Sequence, residues 1–284
     1  MIISWIKLLR PQQWIKNIFV FAPLFFANVF MQPDAWRLTI LAALAFLSAS
    51  CVVYILNDWR DRDEDRLHPV KKHRPLASRD IAPAAALVLA LSLTLSAIGL
   101  LQFLPAGCAA IIWLYVVLNV AYTLWLKRIA IIDIFFIACC YVLRVLMGCY
   151  ALSVTVSPWI ILATFLLALF LGFGKRFHEM TMPNYVASKP NLQNYSRELL
   201  DRLVTLTGGA ALMTYAIYAA EVSEKIGKVE IVYTVVFVAF GLFRYLQAIY
   251  VYGKGGEPEM VILRDPWQLG NLALWLVTTL LIMF

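Results

Sequence analysis

Charge is scarce in this chain. Of its 284 residues only 14% are Asp, Glu, Lys or Arg, whereas 62% are hydrophobic. With a mean hydropathy of +0.78, that composition excludes a disordered chain and argues against an ordinary soluble domain. Histidine is scarcer still. His68, His73 and His178 are scattered over the loops, with no Ser-His-Asp constellation and no H-E-x-x-H, so no covalent nucleophile stands out. Cys51, Cys108, Cys139, Cys140 and Cys149 all lie inside apolar runs, and none forms a C-x-x-C pair. That is the pattern of packed thiols, not of a disulfide framework or a zinc site. A P-loop is missing too: in "GFGKR" the spacing is wrong, and Arg follows Lys175. The N-terminus, "MIISWIKLLRPQQWIKN", is interrupted by basic residues and lacks a signal-peptide layout. Its apolar run therefore reads as a retained span.

What the chain has instead is long apolar runs, near 13–31, 36–56, 84–103, 107–125, 131–151, 158–174, 203–220, 229–251 and 267–284. Each approaches the roughly 20 residues that cross a bilayer. They read as helices, because lipid offers backbone groups no partner outside the segment. The expected fold is all-α: a polytopic bundle of about nine transmembrane helices forming one integral-membrane domain over residues 1–284. Polar loops fall near 57–82, 126–131, 175–202 and 252–267. With the N-terminus inside, 19 of the 24 Lys and Arg fall in inner segments, three fall in outer ones, and Arg144 and Arg244 lie within spans. By the positive-inside rule this puts the N-terminus in the cytoplasm and, with an odd number of spans, the C-terminus outside. The net charge of +7 mostly expresses this bias and does not suggest nucleic-acid binding.

The chemistry concentrates in "NDWRDRDEDRLHPVKKHRPLAS", residues 57–78. Continued as helix, Asp58, Asp61 and Asp65 fall within about 60° of one another, with Asn57 some 40° further round. Tyr54 points the same way one turn earlier, and Asp63 points roughly opposite. Such a face is either solvated and salt-bridged to Arg60, Arg62 and Arg66, or it holds a cation. Hard oxygen donors suit Mg²⁺, which commonly binds through one or two carboxylates plus substrate phosphates. Asn57, Asp58, Asp61 and Asp65 are the metal candidates. Pro69 and Pro75 then frame a cationic strap in which Lys71 and Arg74 would take the remaining diphosphate oxygens.

Further bases follow in later loops. Lys127 and Arg128 sit in "YTLWLKRIAIID"; Lys175, Arg176 and Glu179 sit in "FGKRFHEM", where local pairing is open to the acid. Asp133 and Arg144 lie about 20° from one helical face and roughly 16 Å apart along it. Arg144 is thus an intramembrane charge, which faces a polar cavity or a partner helix. Ser196 lacks a capping-box partner, since position 199 is Leu. Many bases accompany one acidic cluster: Lys16, Lys71, Arg74, Lys127, Arg128, Arg144, Lys175 and Arg176. That ratio suggests two phosphorylated substrates sharing one metal site.

These motifs carry a resemblance. About nine spans with N-D-x-x-D-x-x-x-D after the second resemble the UbiA superfamily of intramembrane prenyltransferases. "LRPQQWIKN", "NDWRDRDEDRLHPVKKHRPLAS", "YTLWLKR", "GKRFHE" and "NYS" more closely resemble its branch of polyprenyl-phosphate phosphoribosyltransferases, which act on decaprenyl phosphate. The resemblance covers essentially the whole chain. Ordinary members carry a second aspartate-rich motif after span 6; here Gly-Lys-Arg-x-x-Glu stands in its place. The resemblance implies Mg²⁺ as cofactor, phosphoribosyl diphosphate as donor, a polyprenyl phosphate as acceptor and the bilayer as surroundings. A homo-oligomer is compatible with it, and so is a place in making arabinose donors for cell-envelope polymers. Asp58, Asp61, Lys71 and Arg74 would then be catalytic. Lys16, Tyr54, Lys127, Arg128, Arg144, Lys175, Arg176 and Glu179 would join Lys71 and Arg74 in binding substrate. Ordinary aromatic prenyl transfer would need the missing aspartates. A non-enzymatic lipid carrier would show rich loops on both faces, yet the outer loops are plain.

Overall fold

A computed structural model describes residues 2–27, 29–67, 71–182 and 190–283. His68, Pro69 and Val70 therefore lie outside the described residues, and so does Lys189. Among the described residues there are eleven α-helices: α1 Ile2–Leu9, α2 Ala22–Phe26, α3 Pro33–Leu67, α4 Pro83–Leu101, α5 Ala106–Leu124, α6 Ile132–Leu152, α7 Pro158–Met180, α8 Arg197–Ile226, α9 Val235–Tyr250, α10 Pro258–Arg264 and α11 Pro266–Met283. Proline opens α3, α4, α7, α10 and α11, where its missing N–H costs nothing and its fixed φ suits the first turn. The Ser196 hydroxyl caps α8 by accepting from the Leu199 N–H at 3.0 Å. The cap forms without the reciprocal acid, because only the backbone donor of residue 199 is needed.

Among the described residues, eight segments are long and apolar enough to cross a membrane. The ninth run, 13–31, is broken into a 3₁₀ stretch, Pro11–Phe21, and the short α2. Pro23 explains the break, since a continuous α-helix would lose a hydrogen bond there and clash with the carbonyl one turn earlier. The outward faces are apolar. Val88, Leu91 and Leu95 of α4 and Leu274, Val277 and Leu281 of α11 are all exposed, as expected where lipid is the solvent.

The chain forms two compact units. The first comprises Met1–Leu124 and Leu143–Thr155. Its main pairing is α3 with α4, and Leu8, Ile55, Leu76, Ile81, Ala86 and Ala90 form a buried cluster. At 35 residues, α3 is about 52 Å long, well beyond a hydrocarbon core of about 30 Å. Its last three turns carry the acidic face. Gly148 lies so close to the 3₁₀ stretch that a Cβ there would sit 2.1 Å from the Val20 carbonyl oxygen. No other residue fits without moving that backbone.

The second unit comprises Trp125–Val142 and Val156–Phe284, built on the α7–α8 pair. A Cβ on Gly208 would lie 2.9 Å from the Phe170 ring, the close approach that small residues permit between membrane helices. Polar side chains join α11 to α9: Gln268 donates to the Gly241 carbonyl and Asn271 to that of Phe237, each at 2.9 Å.

Candidate active site

In the first unit the end of α3 presents its acids as the helical spacing predicts. Asp58 and Asp65 are both buried, Asp61 is half-buried, and Asp63 is exposed and paired with Arg66 at 2.6 Å. One nitrogen of Arg74, Nη1, donates to Asp58 Oδ1 at 2.9 Å and to Asp65 Oδ2 at 2.7 Å. Lys71 Nζ lies 3.7 Å from Asp65 Oδ1. The strap that carries these bases is anchored by Leu76, buried in the hydrophobic cluster, and by Arg66 donating to the Ala77 carbonyl at 3.2 Å. Lys72 and His73 are exposed.

Arg10 is a member of this constellation that sequence reasoning missed. Its guanidinium donates to Asp58 Oδ1 and lies over the Tyr54 ring, 5.4 Å from the centroid. Its backbone is left-handed, φ 52 and ψ 63, although a residue before proline favours extended geometry. Such a conformation persists only where its surroundings enforce it. The one available signal was the "RP" dipeptide at the head of "LRPQQW". Thr123 of α5 was also unforeseen; its hydroxyl lies 2.5 Å from Asn57 Oδ1.

Asp58 Oδ2 is buried and has no hydrogen-bond partner. A buried carboxylate oxygen without a donor is costly, and a cation is the partner that would complete it. Hard oxygen donors on Asn57, Asp58, Asp61 and Asp65 are the chemistry Mg²⁺ takes. Among the described residues no group of three His, Cys, Asp or Glu is already arranged around a metal position; arginine guanidinium groups hold the carboxylates instead. The donor set fits Mg²⁺ once Arg10 and Arg74 find anionic oxygens of their own.

Elsewhere in this unit, Arg144 is buried on α6. It donates to Asn17 Oδ1 at 3.2 Å and stacks over Phe46 and Tyr115, 4.9 and 5.5 Å from their centroids. Lys16, half-buried, precedes that asparagine.

The second unit holds the other bases. Asp133, the second residue of α6, is fully buried. Its Oδ2 accepts from Arg176 Nη2 at 2.6 Å, and its Oδ1 accepts from the Tyr195 hydroxyl at 3.2 Å. Arg176 Nη1 also donates to Glu179 Oε2 at 2.6 Å. Arg176 and Glu179 thus belong to a buried ion-pair chain joining α6 to α7. Lys127 and Lys175 are half-buried, and Arg128 is exposed. Burial, chiefly, pushes the Tyr195 phenol above its ordinary range, so this hydroxyl stays protonated. Among the cysteines, Cys139 is exposed and the other four are buried.

The chain is 30% identical over 269 residues to the decaprenyl-phosphate phosphoribosyltransferase of Corynebacterium glutamicum, covering 92% of this chain and 80% of that one. It is 30% identical over 280 residues to the protein of the same name from Mycobacterium tuberculosis, covering 96% and 92%. Its fold matches a UbiA homologue from Archaeoglobus fulgidus bound to GPP and Mg²⁺, with a TM-score of 0.74 at 16% identity over 99% of each chain. Residues 18–260 match the UbiA prenyltransferase family. With eight long apolar helices among its described residues, the chain is an integral membrane protein that belongs to the UbiA prenyltransferase family.

Proposed function

We propose that this protein transfers a 5-phosphoribosyl group from phosphoribosyl diphosphate to a polyprenyl phosphate and releases diphosphate. One observation carries the reading. The end of α7 offers Lys175 and Arg176 where ordinary relatives are expected to carry aspartates, and its single acid, Glu179, is tied to Arg176. A second metal-diphosphate clamp has no aspartates there, whereas a second anionic substrate has Lys175. The relatives named for phosphoribosyl transfer support it.

Asp58, through its unpartnered Oδ2, and Asp61 would hold Mg²⁺, with Asn57 and Asp65 beside them. When bound, the ion neutralises charge on a leaving diphosphate. The chain's own residues do the rest. Lys71, Arg74 and Arg10 exchange their carboxylate partners for diphosphate oxygens and take up the charge that grows as the ribose C1–O bond breaks. Positive charge develops on the ribose ring, as in glycosyl transfer generally. An oxygen of the lipid phosphate forms the new bond to C1. It is already anionic, so no general base is needed. Lys16 of the first unit and Lys127, Arg128 and Lys175 of the second are the candidates for the lipid phosphate and the ribose 5-phosphate, and Asp133 holds Arg176. Arg144, bonded to Asn17, and Tyr54, beneath Arg10, are the further substrate-binding candidates of the first unit. This reading puts the polar loops on the cytoplasmic side of a prokaryotic plasma membrane, and the product enters arabinose-donor synthesis for the cell envelope.

The test is to incubate purified protein with ribose-labelled phosphoribosyl diphosphate, polyprenyl phosphate and Mg²⁺, then extract the lipid. Label in the organic phase supports the reading. No lipid label, with activity instead on a prenyl diphosphate and an aromatic acceptor, would replace it with ordinary prenyl transfer.

A further inference from the structure

Ile131 has φ 69, a conformation that β-branched residues rarely adopt. Its neighbour's N–H, on Ile132, donates to the Ala130 carbonyl at 2.8 Å. Together these make the positive-φ γ-turn, the rare and strained form of that turn. Strain of this kind survives only where the surroundings over-determine it. The Ile131 side chain is exposed, so packing does not hold the turn. Hydrogen bonds do. The Ile131 N–H donates to the Tyr195 hydroxyl, which donates to Asp133 Oδ1, and Arg176 holds Asp133 in turn. The Ile131 carbonyl accepts from the N–H groups of Ile134 and Phe135 at 3.0 Å each and so starts α6. The 3₁₀ turn Leu126–Arg128, just before this point, packs on the 3₁₀ turn Pro190–Asn194, just before Tyr195.

We propose that Tyr195 is a positioning residue: its hydroxyl locks Ile131 in the strained turn and thereby aims Lys127 and Arg128 at a phosphorylated substrate. The proposal rests on the functional reading above. Tyr195 touches no substrate in this account. One hydroxyl must accept from a backbone N–H and donate to a carboxylate at the same time. A neutral phenol does both, whereas a carboxylate cannot donate and an ammonium cannot accept. Without that hydroxyl, Ile131 relaxes to negative φ and the Lys127–Arg128 turn is re-aimed.

Steady-state kinetics of Tyr195→Phe, with each substrate varied in turn, test this. KM for one phosphorylated substrate should rise about tenfold, the scale of one lost hydrogen bond, with kcat and the other KM nearly unchanged. Adding Ile131→Gly should restore most of the lost KM, because glycine adopts positive φ without steric cost. A Tyr195 that merely stabilises the fold would lower kcat or yield for both substrates and show no rescue by glycine. An unchanged KM in Tyr195→Phe, or a double variant no better than the single one, would overturn the proposal. If the wild type forms no phosphoribosylated lipid, the functional reading falls by itself. Affinity for inorganic phosphate, the group that Lys127 and Arg128 are proposed to bind, measured on the same three proteins by calorimetry, then decides the positioning role: it must drop and recover in the same order.

Discussion

Arg74 and Asp58 are joined by a 2.9 Å hydrogen bond, and the same nitrogen reaches Asp65 at 2.7 Å. One cation thus holds two buried carboxylates, seven residues apart on α3. On the proposed function, a diphosphate brought in with Mg²⁺ would take over Arg74 and leave the carboxylates to the ion. Arg74→Ala should raise KM for the donor on the order of 30-fold, since losing one partner of a buried charge pair costs about 2 kcal/mol or more. Arg74→Lys should recover only part of this, because an ammonium lacks the planar fork. Donor KM values for the two variants check it, and equal values would remove Arg74 from the diphosphate.

Arg10 shares Asp58 with Arg74. Arg10→Ala should weaken donor binding in the same direction, and with Arg74→Ala the two losses should not add, because both act through one carboxylate. A double-mutant cycle on kcat/KM reads this. Strict additivity would mean that Arg10 serves another part of the protein.

Asp61→Asn should abolish Mg²⁺-dependent turnover while leaving the protein folded, on the proposal that its carboxylate serves the ion. Turnover and Mg²⁺ response like the wild type's would take Asp61 out of the metal set. Lys175→Ala should raise KM for one phosphorylated substrate only. If neither KM moves, that lysine serves topology alone.

Asp133→Ala removes the carboxylate between Arg176 and Tyr195. A buried cation then loses a partner, and stability should fall by about 3 kcal/mol or more. The double variant, Asp133→Ala with Arg176→Met, should cost less than the two single losses summed, because both act on one ion pair. Thermal or denaturant unfolding of the three variants decides it. A double variant as unstable as the sum of the single ones would deny the coupling.

The spans were legible in composition because lipid imposes a helix on every long apolar run. Their ends were legible where proline or polar residues mark them, as at Pro83 and Pro158. The first run was misread as one helix, since hydropathy does not register the bond that Pro23 removes. The acidic face of α3 was legible because helical periodicity is local: Asp58 and Asp65 emerge together and Asp63 stays apart. Partners were not legible. Asp133 and Arg144 share a helical face, yet Asp133 pairs with Arg176 and Arg144 with Asn17. Each partner lies on another segment, at a distance along the chain that no local spacing encodes. Arg10 escaped notice for the same reason, 48 residues from Asp58.

The central claim is that ribose, not an isoprenoid, moves. Phosphoribosyl diphosphate labelled with ¹⁴C in the ribose and ³²P in the diphosphate, incubated with polyprenyl phosphate, Mg²⁺ and the purified protein, tests it directly. The account predicts ¹⁴C in the lipid phase and an equal amount of ³²P released to water as diphosphate, both lost in Asp58→Asn. Both labels remaining in water, with the donor intact, would contradict it.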